Sequence, residues 1–181
     1  MANVEYESAP HLAAAEGDAK GMRSQFGKEY KGDLEVDNTA AEMEQQVSEA
    51  MSDLPPGGSL LVYYAGHGKL DRGSDRGFWL PVDAKEDSRA NWLNNVTITD
   101  TLKAIQAKHV MVVADSCYSG TLTRDTRGVE VRVKKSDYVA KTHGKKSRTV
   151  LASGGLEPVS DSGGSGHSVF AKAFMDALRD N

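Results

Sequence analysis

Three short, nearly continuous apolar runs constrain this chain more than any other feature of its sequence. They span residues 60–65, 110–114 and 149–152. Runs of this kind are typical of strands that are buried on both faces of a parallel sheet. Because helical patterns lie between and around them, the order of elements predicts an α/β domain with a doubly wound, mostly parallel sheet.

Amphipathic patterns and turn residues divide the rest of the chain into further elements. Thr39 followed by Glu42 indicates a capping box, in which the two side chains satisfy backbone N–H groups at the start of a helix. The predicted elements are a helix over 11–27, a helix that starts after Thr39 and stops at 55–58, a short strand at 78–80, a helix near 99–107 and a last helix over 170–178.

Length and charge exclude several classes of function. The chain has 181 residues with 22 basic and 26 acidic side chains, which is the length of one domain and a net charge of −4. A pI near 5.7 argues against a general binder of nucleic acid or of anionic membranes, since such proteins rely on a basic surface. No stretch approaches the roughly 18 apolar residues of a membrane span, and the first residues lack a signal-peptide pattern. We therefore expect no nucleic-acid and no membrane partner.

Polar residues follow each of the three apolar runs and are the candidate functional residues. His67 stands between two glycines after the first run, and Cys117 follows the second run two residues after Asp115. The third run leads into Ser153. Ligand sites of open α/β sheets form beyond the carboxyl ends of the strands, which lie at one edge when the strands are parallel. The sequence thus predicts that a histidine, the only cysteine and several carboxylates converge.

Cysteine and histidine at one sheet edge suit nucleophilic catalysis by a thiolate. A thiol with a pKa of about 8.5 is only a few per cent ionised at neutral pH, so a cysteine nucleophile needs a neighbouring group that takes its proton. His67 is the candidate for that group. The backbone N–H groups of Gly68 and Cys117 are candidate donors to a developing oxyanion. A single cysteine also excludes an internal disulfide and a multi-cysteine metal site.

These motifs resemble those of the caspase-like cysteine peptidases, in particular bacterial caspase homologues and metacaspase-like or orthocaspase-like domains. The resemblance covers nearly the whole chain, from about residue 8 to residue 178. The matching segments are YYAGHG at 63–68, WLPVDA at 79–84, VADSCYSG at 113–120, SGGLEP at 153–158 and HSVF at 167–170.

The resemblance implies a fold and a reaction. The fold is a caspase-like three-layer sandwich, with a doubly wound, mostly parallel sheet flanked by helices. The reaction is peptide-bond hydrolysis by a dyad, with Cys117 as the nucleophile and His67 as the general acid/base, through an acyl-enzyme. Gly68 and Cys117 match the family's backbone oxyanion donors. A single domain of residues 1–181 is expected, with a large-subunit-like part over about 1–122, a basic linker loop over about 121–149 and a small-subunit-like part over about 147–181.

The resemblance also implies a preference for basic substrates. Metacaspase-like members carry an aspartate two positions before the nucleophile and prefer arginine or lysine, whereas vertebrate caspases hold aspartate with an arginine. Asp115 occupies that position here. A carboxylate is a natural partner for a substrate guanidinium. The candidate substrate-binding residues are Asp115, Ser153, Glu157 and Asp161; the alternative for Asp115 is a helix cap.

The segment 121–149 differs from the rest of the chain in charge. It holds nine basic and three acidic residues, about +6, whereas the remainder carries about −10. A solvated surface loop would explain this composition. The segment also matches the linker between the two halves of caspase-like domains, so self-cleavage is a hypothesis. The candidate positions are Arg124, Arg127, Arg132, Lys135, Lys146 and Arg148.

A cofactor is not required by this chemistry, and we expect none. Some metacaspases require calcium, but the acidic residues after the histidine motif do not have the spacing of an EF-hand loop. A solvated surface is the simpler interpretation of this cluster. A reduced single thiol without a signal pattern makes a cytoplasmic location the default. The acidic residues are Asp71, Asp75, Asp83, Glu86 and Asp87.

The two ends of the chain depart from the family pattern. Only residues 2–4 precede the region of Tyr6, so the first strand of the sheet is expected to be short or missing. The sequence ends at Asn181, just after a predicted helix, where the family usually continues. From these two features we expect a shortened domain.

Two other interpretations compete with a peptidase that cleaves after arginine or lysine in protein or peptide substrates. The first is a catalytically silent caspase-like interaction or signalling module, for which a fused or associated sensor domain is an expected partner. Loss of the cysteine or the histidine would indicate it, and both are present. The second is a nucleotide-binding α/β domain, but the glycines at 154–155 and 163–166 match neither a P-loop nor a dinucleotide fingerprint.

Overall fold

The described part of the computed structural model contains ten helices and strands. The structure describes residues 1–27, 30–85, 87–117, 145–154 and 166–180. The elements are α1 (Ala15–Phe26), α2 (Ala40–Ser52), β1 (Ser59–Ala65), β2 (Gly68–Asp71), β3 (Arg76–Trp79), β4 (Leu93–Asn94), α3 (Asn95–Ala104), β5 (His109–Asp115), β6 (Ser147–Ala152) and α4 (Val169–Arg179).

The three apolar runs form a parallel sheet in the order β1, β5, β6. β1 and β5 pair over seven positions, from Ser59 opposite His109 to Ala65 opposite Asp115. β6 pairs with β5 up to Ala152, which lies opposite Ala114. The strands therefore end side by side, and the residues that follow each of them emerge at one edge. The predicted parallel sheet is confirmed.

Helices cover both faces of this sheet because successive strand side chains point to opposite faces. Val62 and Tyr64 of β1 face a core that also contains Met43 of α2 and Leu102 of α3. Tyr63 lies between them in β1 and points to the opposite face of the sheet, where it packs against residues of α1 and α4. The result is a three-layer sandwich with α2 and α3 on one side and α1 and α4 on the other. It confirms the expected fold class.

The first residues of the chain extend the sheet beyond β1. Ala2 forms parallel bridges with Ala65 on one side and Val36 on the other. The amide of Asn3 donates to the Ala65 carbonyl at 2.9 Å, and the Ala65 amide donates to the Met1 carbonyl at 3.1 Å. The first strand is thus as short as the sequence predicted, but it occupies a place beside the carboxyl end of β1.

A small antiparallel sheet of β2, β3 and β4 follows the histidine motif, and only β3 was predicted from the sequence. Gly68 pairs with Trp79, and Asp71 pairs with Arg76 across a tight turn. β2 was missed because its four residues, Gly-Lys-Leu-Asp, carry no apolar alternation strong enough to indicate a strand.

Element boundaries differ modestly from the sequence predictions. The capping box of Thr39 and Glu42 is present and starts α2, as predicted. α3 starts about four residues earlier than expected because the Asn94 side chain caps it by accepting from the amide of Val96. β6 starts at Ser147, so residues 147–149 belong to a strand and not to the basic loop. No helix in the described part of the chain is long and apolar enough to cross a membrane.

Candidate active site

The histidine and cysteine motifs meet at the carboxyl edge of the parallel sheet. Gly68 lies against the Cys117 backbone so closely that a Cβ built on the glycine would be 2.0 Å from the Cys117 carbonyl oxygen. The amide of Gly66 donates to the Asp115 carbonyl at 3.3 Å, so the two motifs are also joined two residues before Gly68 and Cys117. Only a glycine fits at position 68, because any side chain there would collide with backbone. The motifs that carry His67 and Cys117 are therefore packed together through the backbones of Gly68 and Cys117.

One ring nitrogen of His67 is held by a backbone carbonyl. Its Nε2 lies 2.7 Å from the carbonyl oxygen of Pro10. A carbonyl oxygen only accepts hydrogen bonds, so Nε2 carries the proton in this contact. In the neutral imidazole the other nitrogen, Nδ1, is then unprotonated and is the atom available to act as a base. Neither Pro10 nor this tautomer was predicted from the sequence.

Two tyrosines hold the peptide unit of His67. Its amide donates to the Tyr6 hydroxyl at 2.7 Å, and its carbonyl accepts from the Tyr64 hydroxyl at 2.9 Å. The Tyr6 ring also packs against the imidazole, with 4.6 Å between ring centroids. Burial raises the pKa of both tyrosines well above the ordinary value, so both hydroxyls stay protonated. The backbone and the ring of His67 are thus both fixed by contacts.

Cys117 lies at the carboxyl end of β5, where the strand gives way to a turn. The residue is partly exposed, as a nucleophile that must meet a substrate has to be. Ser153, which follows β6, lies beside the same turn: its hydroxyl donates to the Ser116 carbonyl at 3.4 Å, and its amide donates to the Ala114 carbonyl at 3.0 Å. The end of β6 therefore contacts the backbone of Ser116, the residue before Cys117.

Asp115 is a buried carboxylate at the end of β5, with 8% of its surface exposed. One of its oxygens accepts a 2.5 Å hydrogen bond from the Ser168 hydroxyl. Ser168 is also the N-cap of α4, since the same hydroxyl oxygen accepts from the Ala171 amide at 2.9 Å. The start of the last helix is thereby fixed to the strand that carries the candidate nucleophile.

A second buried carboxylate, Asp18 of α1, joins this group and was not predicted from the sequence. It is 1% exposed, and its oxygens accept from the Ser168 amide at 3.1 and 3.2 Å. His167 Nδ1 lies 2.8 Å from the same carboxylate. A signal was available, because Asp18 lies on the apolar face of α1 beside Ala15 and Ala19. Charged residues are rarely buried unless they are paired or functional.

Tyr63 of β1 lies close to both carboxylates. Its hydroxyl is buried and has no hydrogen-bond partner among the described residues. Burial, together with the charges of Asp115 and Asp18, raises the pKa of this tyrosine far above the ordinary value. The hydroxyl is therefore a neutral polar group beside two negative ones.

The remaining predicted site residues lie in or beside β6 or outside the described residues. Lys146 is exposed just before β6. Arg148 lies inside β6 and donates to the carbonyls of Ile105, Ala107, Lys108 and Ser147 at 2.7–3.4 Å. The peptide bond after Arg148 would have to leave the sheet to be cut, which makes it a poor candidate for self-cleavage. Outside the described residues lie Glu157, Asp161, Arg124, Arg127, Arg132 and Lys135.

Two of the acidic residues after the histidine motif, Asp71 and Asp83, have protein partners. Asp71 accepts from the Ser74 hydroxyl and pairs with Arg89 at 3.1 Å. Asp83 accepts from the amide of Ala40 at 3.0 Å. Glu86 lies outside the described residues. Within the described ranges, no group of three or more histidine, cysteine, aspartate or glutamate side chains could hold a metal ion.

The comparison with protein families agrees with this geometry. The family model of the caspase domain matches residues 1–181, which is the whole chain. No curated protein sequence gives a significant match. The chain belongs to the caspase family of cysteine peptidases.

Proposed function

We propose that this protein is a cysteine endopeptidase in which Cys117 and His67 form a catalytic dyad. The observation that carries the proposal is the contact of Gly68 with the Cys117 backbone, combined with the Pro10 carbonyl that leaves His67 Nδ1 as the basic nitrogen. A base must be within hydrogen-bond reach of the proton that it removes. The close packing of the two motifs makes that approach feasible.

The proposed reaction has two halves. His67 Nδ1 takes the thiol proton, and the Cys117 sulfur forms a bond to the carbonyl carbon of the substrate. The imidazolium then gives its proton to the leaving amine as the C–N bond breaks, which leaves a thioester. A water molecule, deprotonated by the same nitrogen, attacks the thioester and releases the acid and the thiol. In the proposal, the backbone N–H groups of Gly68 and Cys117 donate to the oxyanion formed in both halves.

We further propose that the enzyme prefers arginine or lysine before the scissile bond. Two buried carboxylates, Asp115 and Asp18, are bound to the hydroxyl and the amide of one residue, Ser168. An ionised carboxylate has about four acceptor positions, so both groups can accept further hydrogen bonds from a guanidinium. The neutral Tyr63 hydroxyl lies close by and offers one more polar partner. Ser153, Glu157 and Asp161 remain in the proposed substrate-binding set.

The test of this preference is a set of fluorogenic peptides that differ only in arginine, lysine or aspartate before the bond. We expect cleavage after arginine or lysine, lost in Cys117→Ala, and a fall of about 10-fold or more in kcat/KM for Asp115→Asn and for Asp18→Asn. Both changes keep an acceptor oxygen for Ser168 while removing the charge. Ser48→Ala, on the exposed part of α2, is the matched control.

Three outcomes of that assay, run with calcium and with a chelator, bear on the proposal. Cleavage after aspartate would keep the peptidase and overturn the acidic pocket. Equal rates with calcium and with a chelator would support the expectation that no cofactor is required. A folded protein that cleaves none of the peptides would favour the catalytically silent interaction module.

We also propose self-processing in the basic segment. Lys146 is exposed and lies just outside the sheet. The bond after it joins it to Ser147, the first residue of β6, so only the start of this strand would have to open for cleavage. The test is the intact mass after prolonged incubation at several protein concentrations. We expect new fragments ending at a basic residue from wild type and none from Cys117→Ala, and equal masses for the two proteins would contradict self-processing.

A further inference from the structure

Tyr6 contacts both the backbone and the ring of His67, although 61 positions separate them in the sequence. Its hydroxyl accepts the 2.7 Å hydrogen bond from the His67 amide, and its ring packs against the imidazole with an interplanar angle of 57°. These contacts are independent of each other, since one uses the hydroxyl oxygen and the other uses the ring face. The Tyr6 side chain thus fixes both the backbone of His67 and one side of its imidazole ring.

The Tyr6 hydroxyl is itself held in place. It hydrogen-bonds with the Tyr64 hydroxyl, whose oxygen lies 2.9 Å from the His67 carbonyl oxygen and 3.1 Å from the Leu80 carbonyl oxygen. The two hydroxyls close around Gly66 so tightly that a Cβ on this glycine would lie 2.5 Å from one oxygen and 2.7 Å from the other. A buried pair of this kind has little freedom to move.

The segment that carries Tyr6 also carries Pro10, the partner of His67 Nε2. It is anchored to the domain on both sides of the tyrosine contact. The Glu7 amide donates to the Val82 carbonyl at 3.0 Å, and the Leu12 amide donates to the Val4 carbonyl at 3.2 Å. The Tyr6 ring and the Pro10 carbonyl therefore contact the His67 imidazole from one anchored segment of the chain.

We propose that Tyr6 is a positioning residue for His67: it holds the imidazole in the orientation in which Nε2 meets the Pro10 carbonyl and Nδ1 is left as the basic nitrogen. The inference rests on the proposed dyad for its catalytic meaning, but the orientation itself does not depend on it. A misplacement of about 1 Å at a reacting group costs on the order of 100-fold in rate. A side chain that prevents such a misplacement acts on kcat and leaves substrate binding unchanged.

Two variants separate the roles of the ring and the hydroxyl. Tyr6→Phe keeps the ring and removes the acceptor, whereas Tyr6→Leu removes both. We expect kcat to fall about 10-fold in Tyr6→Phe and about 100-fold in Tyr6→Leu, with KM within about 2-fold of wild type in both. Tyr30→Phe, at an exposed tyrosine that packs on Phe26, is the matched control and should leave both constants unchanged.

The second measurement needs no substrate. In protein labelled with ¹⁵N-histidine, the five imidazoles report their tautomers, and His67→Gln identifies the signal of interest. We expect His67 to carry its proton on Nε2 in wild type, to keep it there in Tyr6→Phe and to exchange between tautomers in Tyr6→Leu. Should Tyr6→Leu fail to fold, the kcat of Tyr6→Phe decides.

The two measurements distinguish the failure of this inference from the failure of the proposed function. An unchanged histidine spectrum and an unchanged kcat in the variants would overturn the positioning role. A fixed tautomer in wild type that is lost in Tyr6→Leu would support the positioning role even if wild type cleaved no peptide, and that lack of cleavage would count against the dyad alone. A change in KM without a fall in kcat in the Tyr6 variants would also overturn the positioning role.

Discussion

At the scale of single residues, the site depends on one position where no side chain fits. Gly68 packs on the Cys117 carbonyl, and its own amide is a proposed oxyanion donor. The atom that a larger residue would meet belongs to backbone, which cannot move aside as the end of a flexible side chain can. A substitution there must therefore push the two motifs apart.

We predict that Gly68→Ala lowers kcat/KM by about 100-fold or more, because the separation of His67 and Cys117 would change. Gly73→Ala is the control, since a Cβ at this exposed position of the β2–β3 turn would meet its nearest atom at 3.5 Å. Peptide hydrolysis, corrected for the folded fraction from circular dichroism, is the measurement. Full activity in a folded Gly68→Ala protein would contradict the packed contact.

Single residues also show where sequence reasoning succeeds and where it stops. His67 and Cys117 follow apolar runs, so their meeting at one edge could be predicted from the parallel sheet alone. Tyr6 and Pro10 gave no such signal, because their contacts with His67 span 61 and 57 positions and use a hydroxyl and a backbone carbonyl. Asp18 gave a local signal, because it is a charged residue on an apolar helix face. Its partners, His167 and Ser168, were not evident from the sequence.

At the scale of elements, Arg148 joins β6 to the end of α3. Its guanidinium donates to four backbone carbonyls, two of which, those of Ile105 and Ala107, lie just beyond the last residue of the helix. Carbonyls near a helix end have no intrahelical partner, and a cation near them is also favoured by the helix dipole. A residue that the charge pattern suggested as a cleavage site is therefore a structural link.

We predict that Arg148→Met lowers the free energy of unfolding by about 2 kcal/mol, because several hydrogen bonds from a charged donor are lost. Arg148→Lys should recover only part of this, since an ammonium lacks the planar fork of a guanidinium. Urea denaturation followed by fluorescence measures the change. Arg72→Met, at an exposed turn, is the control, and an equal loss in both variants would show that the four contacts carry no special weight.

The elements that were predicted well are those with long apolar patterns. β1 and β5 have seven residues each, and α4 follows a Ser168 cap with a clear amphipathic stripe. β2 was missed because its four residues are stabilised by pairing with β3, which is a contact outside their own sequence. Short strands of this kind depend on tertiary context more than on propensity.

At the scale of the whole molecule, the two halves of the chain share one core. β6 pairs with β5 over six positions, and α4 packs on α1 through Met22, Ala171 and Met175. Asp18 and Ser168, 150 positions apart, meet in the same layer. Neither half of the sequence therefore completes the sandwich by itself. The three-layer order could be predicted from sequence, whereas the contacts between first and last helix could not.

We predict that a chain cut within residues 121–144 stays associated. A recognition sequence for a specific protease, inserted after Gly128, allows the cut to be made in the Cys117→Ala background. Size-exclusion chromatography should then give one peak at the size of the intact protein, with two masses that separate only in denaturant. Separation of the two fragments in buffer would show that the shared core is weaker than the pairing of β5 with β6 indicates.

The central claim is that Cys117 is a nucleophile activated by His67 in a site that accepts a basic side chain. The most direct test is the intact mass of the protein after reaction with peptidyl acyloxymethyl ketones ending in arginine or aspartate. Because the chain has one cysteine, a single adduct reports on Cys117 alone. We predict one adduct per chain, formed faster with the arginine reagent, slowed about 100-fold or more in His67→Ala and absent in Cys117→Ala. No adduct from the folded wild type, or equal rates in wild type and His67→Ala, would contradict the claim.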